Sequence, residues 1–207
     1  MFISSELANG GADVIREFVK SEAGKRFGWK NSKADEYGYF ISDYAERLSD
    51  SAEQIRQAIQ KHVHSDDVVL STPKHVPFFK EHGVTRITTY DVSPQQLYVE
   101  RATADKIFWC DLLHQRTVQK LITKCRPTVL YMSNIHEQAR SRYLDWLVDL
   151  FAKNNVRMVM YSRVIDRGRF SDPFKTSFYS RKWDVREYLS QSDDYRTIGD
   201  IYVAIRK

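Results

Sequence analysis

A chain of 207 residues, 42% apolar and 29% charged, has the length of one compact domain and enough apolar material for a sizeable core, which excludes disorder as its global state. Its eight glycines are scarce against a usual fraction of about 7%, and five of them fall before residue 40. Neither a Walker A loop nor a G-x-G-x-x-G fingerprint can be built from that set, and a net charge of +5 leaves an acidic partner open without requiring one.

The first 64 residues read as helical. Ala12 to Ala23 places Val14, Ile15, Phe18 and Val19 at helical spacing, and residues 34–62 carry an apolar stripe through Tyr37, Phe40, Ile41, Tyr44, Leu48, Ile55 and Ile59. From residue 65 the pattern changes to short apolar runs alternating with helical segments. The runs are Val68 to Leu70, Arg86 to Tyr90, Lys106 to Cys110, Thr128 to Met132, Val156 to Tyr161 and Ile201 to Ile205. The helical segments between them are Val76 to His82, Pro94 to Ala102, Gln115 to Lys124 and Glu137 to Lys153. Such alternation predicts an α/β fold, a three-layer sandwich with a mostly parallel sheet, over residues 65–207, preceded by an N-terminal helical extension or lid over residues 1–64.

No apolar run approaches the ~20 residues of a bilayer span. The start of the chain has neither a basic region nor a long apolar run, and Cys110 and Cys125 match no zinc spacing. The expectation is a cytoplasmic protein with reduced cysteines and no metal. His62 and His64 fall on one face of an extended segment, but no third ligand follows at a recognisable spacing.

Ligands of open α/β sheets bind beyond the carboxyl ends of the strands, so the residues there carry the functional weight. They are Ser71, Thr72 and Pro73 after the first run; Asp91, Val92 and Ser93 after the second; Asp111 and Leu112 after the third; Ser133 and Asn134 after the fourth. A carboxylate closing the second strand can accept hydrogen bonds from both hydroxyls of a ribose, and one closing the third can accept from an adenine amino group. Asp91 and Asp111 stand at these places, which suggests an adenosine site. Each also suits the cap of the following helix.

The stretch Ile87 to Leu97 with its Asp91-Val92-Ser93-Pro94, followed by Ile107-Phe108-Trp109-Cys110-Asp111-Leu112, resembles the middle of class I S-adenosylmethionine-dependent methyltransferases. The resemblance covers about two thirds of the chain. It implies a Rossmann-like domain, S-adenosyl-L-methionine as cofactor and group transfer, most naturally of methyl. Ser71, Thr72, Ser133 and Asn134 would surround the methionine part, and His136 and Glu137 would stand near the sulfonium, where either could take a proton from an acceptor. Glu137 is equally placed to favour the start of the long helix by the dipole effect, with His136 a surface residue. The chain departs from the family at its first loop, which reads Leu70-Ser71-Thr72-Pro73-Lys74-His75 and has no glycine. Two alternatives therefore stay open. One is transfer of the 3-amino-3-carboxypropyl group or other cleavage chemistry on the same cofactor, to which Ser133-Asn134-Ile135 is similar. The other is a non-catalytic binding protein.

The acceptor is read as a small molecule or a nucleic acid. Between Arg163 and Trp183, cations including Arg163, Arg167, Arg169 and Lys175 interleave with Phe170, Phe174, Phe178, Tyr179 and Trp183. This suits stacking and charge contacts to a nucleotide. It suits equally a segment whose aromatics pack on the sheet while its basic tips are solvated.

Overall fold

The computed structural model describes residues 52–91, 104–110, 112, 114–133, 141–164, 172–189 and 198–207. The helices expected over 12–23 and 94–102, and residues 34–51, lie outside these. In chain order the elements are α1 (Ala52–His62), β1 (Val68–Ser71), a 3-10 turn (Pro73–His75), α2 (Val76–Glu81), β2 (Arg86–Asp91), β3 (Lys106–Trp109) and α3 (Gln115–Cys125). They continue with β4 (Val129–Ser133), α4 (Ser141–Lys153), β5 (Met158–Val164), α5 (Pro173–Ser180), β6 (Trp183–Tyr188) and β7 (Ile198–Arg206).

The strands form one sheet in the order β3-β2-β1-β4-β5-β7-β6. Strands β1 to β5 are mutually parallel, whereas β7 runs antiparallel between β5 and β6. The chain builds outward from β1 to β3 on one side and from β4 to β5 on the other. The switch in direction falls between β1 and β4, and in open α/β sheets ligands bind at the carboxyl edge of such a point.

Alternate side chains of the buried strands feed two cores. On one face Val69, Ile87, Val129, Met158 and Val203 pack with Ile55 and Ile59 of α1 and Phe79 of α2. On the other, Leu70, Leu130, Met132 and Val159 pack with Leu121 of α3, Leu147 and Phe151 of α4, and Phe178 of α5. This is the three-layer α/β sandwich expected. Helix α1 precedes the expected boundary at residue 65, and its apolar stripe belongs to the sheet's own core.

Strand β6 has no counterpart in the sequence reading. Only Trp183 and Val185 of its six residues are buried, and Arg186 and Glu187 face water, as befits a strand that among the described residues is paired on one side alone. Three aromatics of the segment 163–183 take a packing role, whereas Tyr179 is 51% exposed. Phe174, Phe178 and Trp183 are buried in a ring cluster with Tyr161, in which Phe174 and Phe178 stand 4.9 and 5.9 Å from the Tyr161 ring, so none is open to stack on a base.

Asp172 fixes the start of α5. Its Oδ1 accepts from the amides of Phe174 and Lys175 at 2.9 and 3.0 Å, and its Oδ2 accepts from the Tyr161 hydroxyl at 3.1 Å. Burial and this carboxylate push the Tyr161 hydroxyl far above its ordinary pKa, so it stays protonated and donates. Asp172→Ala removes a cap and orphans a buried hydroxyl, and the expected loss is about 2 kcal/mol in the unfolding free energy measured by urea denaturation.

A second polar knot ties the amino ends of three parallel strands. Asp67, buried just before β1, accepts from the His64 amide at 2.8 Å, from Thr128 Oγ1 at 2.6 Å and from Arg157 Nε at 3.1 Å, and Arg157 also meets its Oδ2. Burial by itself would raise the Asp67 carboxyl. The hydrogen bonds from Arg157, Thr128 and the His64 amide outweigh it and hold the carboxyl below the usual range.

Candidate functional site

At the switch point between β1 and β4, strand β1 ends at Ser71. Thr72 (φ −71°, ψ 152°), His75 (φ −97°, ψ −9°) and Val76 (φ −53°, ψ −44°) all occupy regions open to any L residue, and Pro73 starts the turn with its preset φ. The loop therefore has no conformational need of glycine at these positions. What it gains instead is side chains.

Those side chains are organised. Ser71 is fully buried and donates from Oγ to the Thr72 carbonyl at 3.2 Å. Thr72 Oγ1 lies 2.7 Å from His75 Nδ1. The His75 ring, 1% exposed, stacks on Tyr131 of β4 at 4.0 Å between centroids and 26° between planes. The Tyr131 carbonyl accepts from the Tyr90 hydroxyl at 2.7 Å, which ties β4 to β2 across β1. Ser71 pairs in register with Thr89, and Tyr131 lies one step beyond the Leu70–Leu130 pair. Thr89, Ser71 and Tyr131 thus form a polar row across the switch point, with His75 over Tyr131.

Among the described residues, His75 Nε2 and Thr89 Oγ1 are buried without a hydrogen-bond partner. A buried orphan costs about 1–3 kcal/mol in a purely structural core. Burial, with a smaller contribution from the Lys74 charge, pushes His75 down to about 3, so the imidazole is neutral near pH 7. A neutral ring engaged at Nδ1 can offer Nε2 to one polar group of a ligand.

Asp91 closes β2, half-buried, level with Trp109 of β3, and its carbonyl accepts from the Cys110 amide at 3.0 Å. The Leu112 carbonyl accepts from the hydroxyl of Tyr143 on α4. Ser133 closes β4 level with Ser162 of β5. Of the residues read as a ligand site, Ser71, Thr72, Pro73, Asp91 and Ser133 therefore share the carboxyl edge of the sheet. Val92, Ser93, Asp111, Asn134, His136 and Glu137 lie outside the described residues, as do Arg167 and Arg169.

Arg163 falls within β5. Lys175 is engaged by Glu187, a hydrogen bond that raises its pKa. His62 Nε2 lies 2.7 Å from the Tyr188 hydroxyl, and no cluster among the described residues could hold a metal ion. No helix of the described residues is long and apolar enough to cross a membrane.

Sequence reasoning passed over His75, Thr89 and Tyr131. His75 enters the sequence reading only as the end of the glycine-free loop, with no role of its own. The available signal was its place, four residues beyond the strand-ending Ser71, in the loop that lacks glycine.

No protein-family model and no curated protein matches the chain. Solved structures do. Magnesium protoporphyrin IX methyltransferase from Synechocystis, crystallised with SAM, is 9% identical, with 95% of this chain and 97% of that one covered at a TM-score of 0.55. The 16S rRNA methyltransferase RmtF, in complex with S-adenosyl-L-homocysteine, is 15% identical, with 99% of this chain and 76% of that one covered at a TM-score of 0.52. Human N-acetylserotonin methyltransferase, in complex with SAM, is 10% identical, with 99% and 67% covered at a TM-score of 0.52. The chain has the Rossmann-like fold of the class I S-adenosylmethionine-dependent methyltransferases.

Proposed function

We propose that the chain is an S-adenosylmethionine-dependent methyltransferase. The observation that carries the reading is the strand order β3-β2-β1-β4-β5-β7-β6 with β7 reversed, which brings Asp91 and the polar switch point to one edge. The residues present fit the cofactor. Its amino-acid end is polar and charged, and two buried atoms without a hydrogen-bond partner among the described residues stand here, Thr89 Oγ1 in the row that carries Ser71 and His75 Nε2 on the ring stacked over Tyr131.

In this reading Asp91, with Val92 and Ser93, would hold the ribose by accepting from its two hydroxyls, and Asp111, with Leu112, would hold the adenine by accepting from its amino group. Ser71, Thr72, Pro73, Ser133 and Asn134 line the methionine part. When bound, the cofactor supplies a methyl group already activated on a sulfonium. The chain's remaining tasks are alignment of an acceptor and removal of its proton, the latter given to His136 or Glu137 with Asn134 orienting the nucleophile. The acceptor is a small molecule or a nucleic acid.

Calorimetric titration with S-adenosylhomocysteine tests the reading. Wild-type protein is expected to bind, and Asp91→Ala to bind about thirtyfold more weakly, the equivalent of ~2 kcal/mol for the loss of charged hydrogen bonds. Absence of binding by the wild type, or an unchanged affinity in Asp91→Ala, overturns it.

A further inference from the structure

A cleft of about 500 Å³ opens away from the switch point, at the amino-terminal halves of β2 and β3. It is lined by Arg86, Thr88, Lys106, Phe108, Lys124 and Cys125 among others. Three of these are cations on both sides of the cleft. Its one carboxylate, Asp105, is engaged by the Ile87 amide at 2.8 Å. The Lys124 ammonium stands 4.9 Å from the centre of the Phe108 ring, and the Arg86 guanidinium donates to the Asp66 carbonyl rather than to a carboxylate.

The positive charge continues along α3. Arg116, Lys120 and Lys124 repeat every fourth residue and so share one face, which spans about 12 Å from first to last. All three are exposed, as is Arg126, which ends the helix in the left-handed region at φ 46°. Helix α3 contains no acidic residue. Arg116 stands in its first turn, where the helix dipole favours an acid, so this charge works against local helix stability. Local conflicts of this kind are expected at functional or strained sites.

None of Arg86, Lys106, Arg116, Lys120, Lys124 and Arg126 has a carboxylate within 4 Å among the described residues. Arg56, Arg157, Arg181 and Arg186 elsewhere each have one. Six cations without a carboxylate partner among the described residues thus surround one concave feature. A flat anionic bilayer cannot enter a cleft, and Ile107 is the one large apolar side chain exposed here among the described residues. A flexible phosphodiester strand can enter and meet cations from both walls.

We infer that this face, α3 together with the β2–β3 cleft, docks the phosphate backbone of a single-stranded nucleic acid. The cations read phosphate charge rather than sequence. The inference does not depend on cofactor binding, and it concerns a face separate from the segment 163–183.

Binding of a fluorescein-labelled 20-nucleotide single-stranded RNA, followed by anisotropy across KCl concentrations, tests it. Six phosphate contacts predict a slope of log affinity against log salt of about −4. The variant Lys120→Glu/Lys124→Glu is expected to bind at least about tenfold more weakly, with a slope shallower by about 1.4. Lys80→Glu on α2, in the opposite layer, changes the charge without touching this face and is expected to lose less than about threefold. Coincident thermal midpoints establish that the variants fold. Should the double variant not fold, Lys120→Glu alone serves, with a slope change of about 0.7. Salt-indifferent binding, no binding, or equal losses in Lys80→Glu overturn the inference. So does a double variant that keeps its RNA affinity while losing capture by phosphatidylserine vesicles.

Discussion

Asp67→Ala is expected to lower the unfolding free energy by about 3 kcal/mol, read as a fall in the urea midpoint at unchanged slope. The carboxylate is 5% exposed and gathers the His64 amide, the Thr128 hydroxyl and the Arg157 guanidinium. Its removal leaves an arginine partly buried without its counter-charge and frees the starts of β1, β4 and β5 together. The Arg157 side chain is one-third exposed, which lets water recover part of its solvation and places the effect at the lower end of the range for broken buried pairs. Arg157→Ala is expected to cost less, about 2 kcal/mol, because Thr128 and the His64 amide still solvate Asp67. The double variant should then lose less than the sum of the two, since both singles disrupt the same pair. A loss below about 1 kcal/mol in Asp67→Ala, or strict additivity, rejects the knot as a unit.

Much of the sheet was legible because its strands are buried on both faces. Val68 to Leu70, Arg86 to Tyr90 and Thr128 to Met132 are short β-branched or aromatic runs closed by polar residues, and each lies within one residue of an observed strand. Strand β6 was not legible, because an edge strand needs only one apolar side and Trp183-Asp184-Val185-Arg186 offers just two such residues. The aromatic segment before it illustrates a deeper limit. Its local pattern suited a stacking surface and a core equally, and only the pairing of β7 between β5 and β6 places Tyr161 and Tyr202 where Phe174 and Phe178 close over them. Asp91 could be placed from strand-end logic alone. The polar row of Thr89, Ser71 and Tyr131 could not, since it joins three strands that are distant in sequence. The basic face is of the same kind. Its cations are scattered over forty-one positions from Arg86 to Arg126, and strand adjacency together with a four-residue repeat on α3 brings them to one surface.

Acid is expected to destabilise the protein from about pH 6.5 downward, through His75. In the folded chain its imidazole is fully buried, pushed down to about 3 by that burial and by Lys74, whereas in the unfolded chain it titrates near the ordinary value of 6.5. Between those limits the unfolded state binds a proton that the folded state refuses. Unfolding free energy therefore falls as pH falls, by up to about 1.4 kcal/mol per pH unit, and the full stability is present only above pH 6.5. His62, also lowered by burial and neighbouring cations, adds in the same direction. Asp67 acts in a separate window. Its carboxyl is held below the usual range, so its contribution is intact above pH 4 and is lost only as pH falls further. Urea midpoints at pH 7, 6 and 5 for the wild type and His75→Gln separate these contributions. The variant keeps a polar group beside Thr72 but cannot take up the proton, so its stability should be lower at pH 7, where the stack on Tyr131 is lost, and distinctly flatter with pH. Parallel pH slopes in the two proteins reject a buried neutral His75. The expected difference in slope has a consequence for any activity assay. A histidine that stays neutral down to about 3 does not titrate as a catalytic base near neutrality, so activity lost in step with the unfolded fraction is assigned to His75, and activity lost with the fold intact to a separate base such as His136 or Glu137.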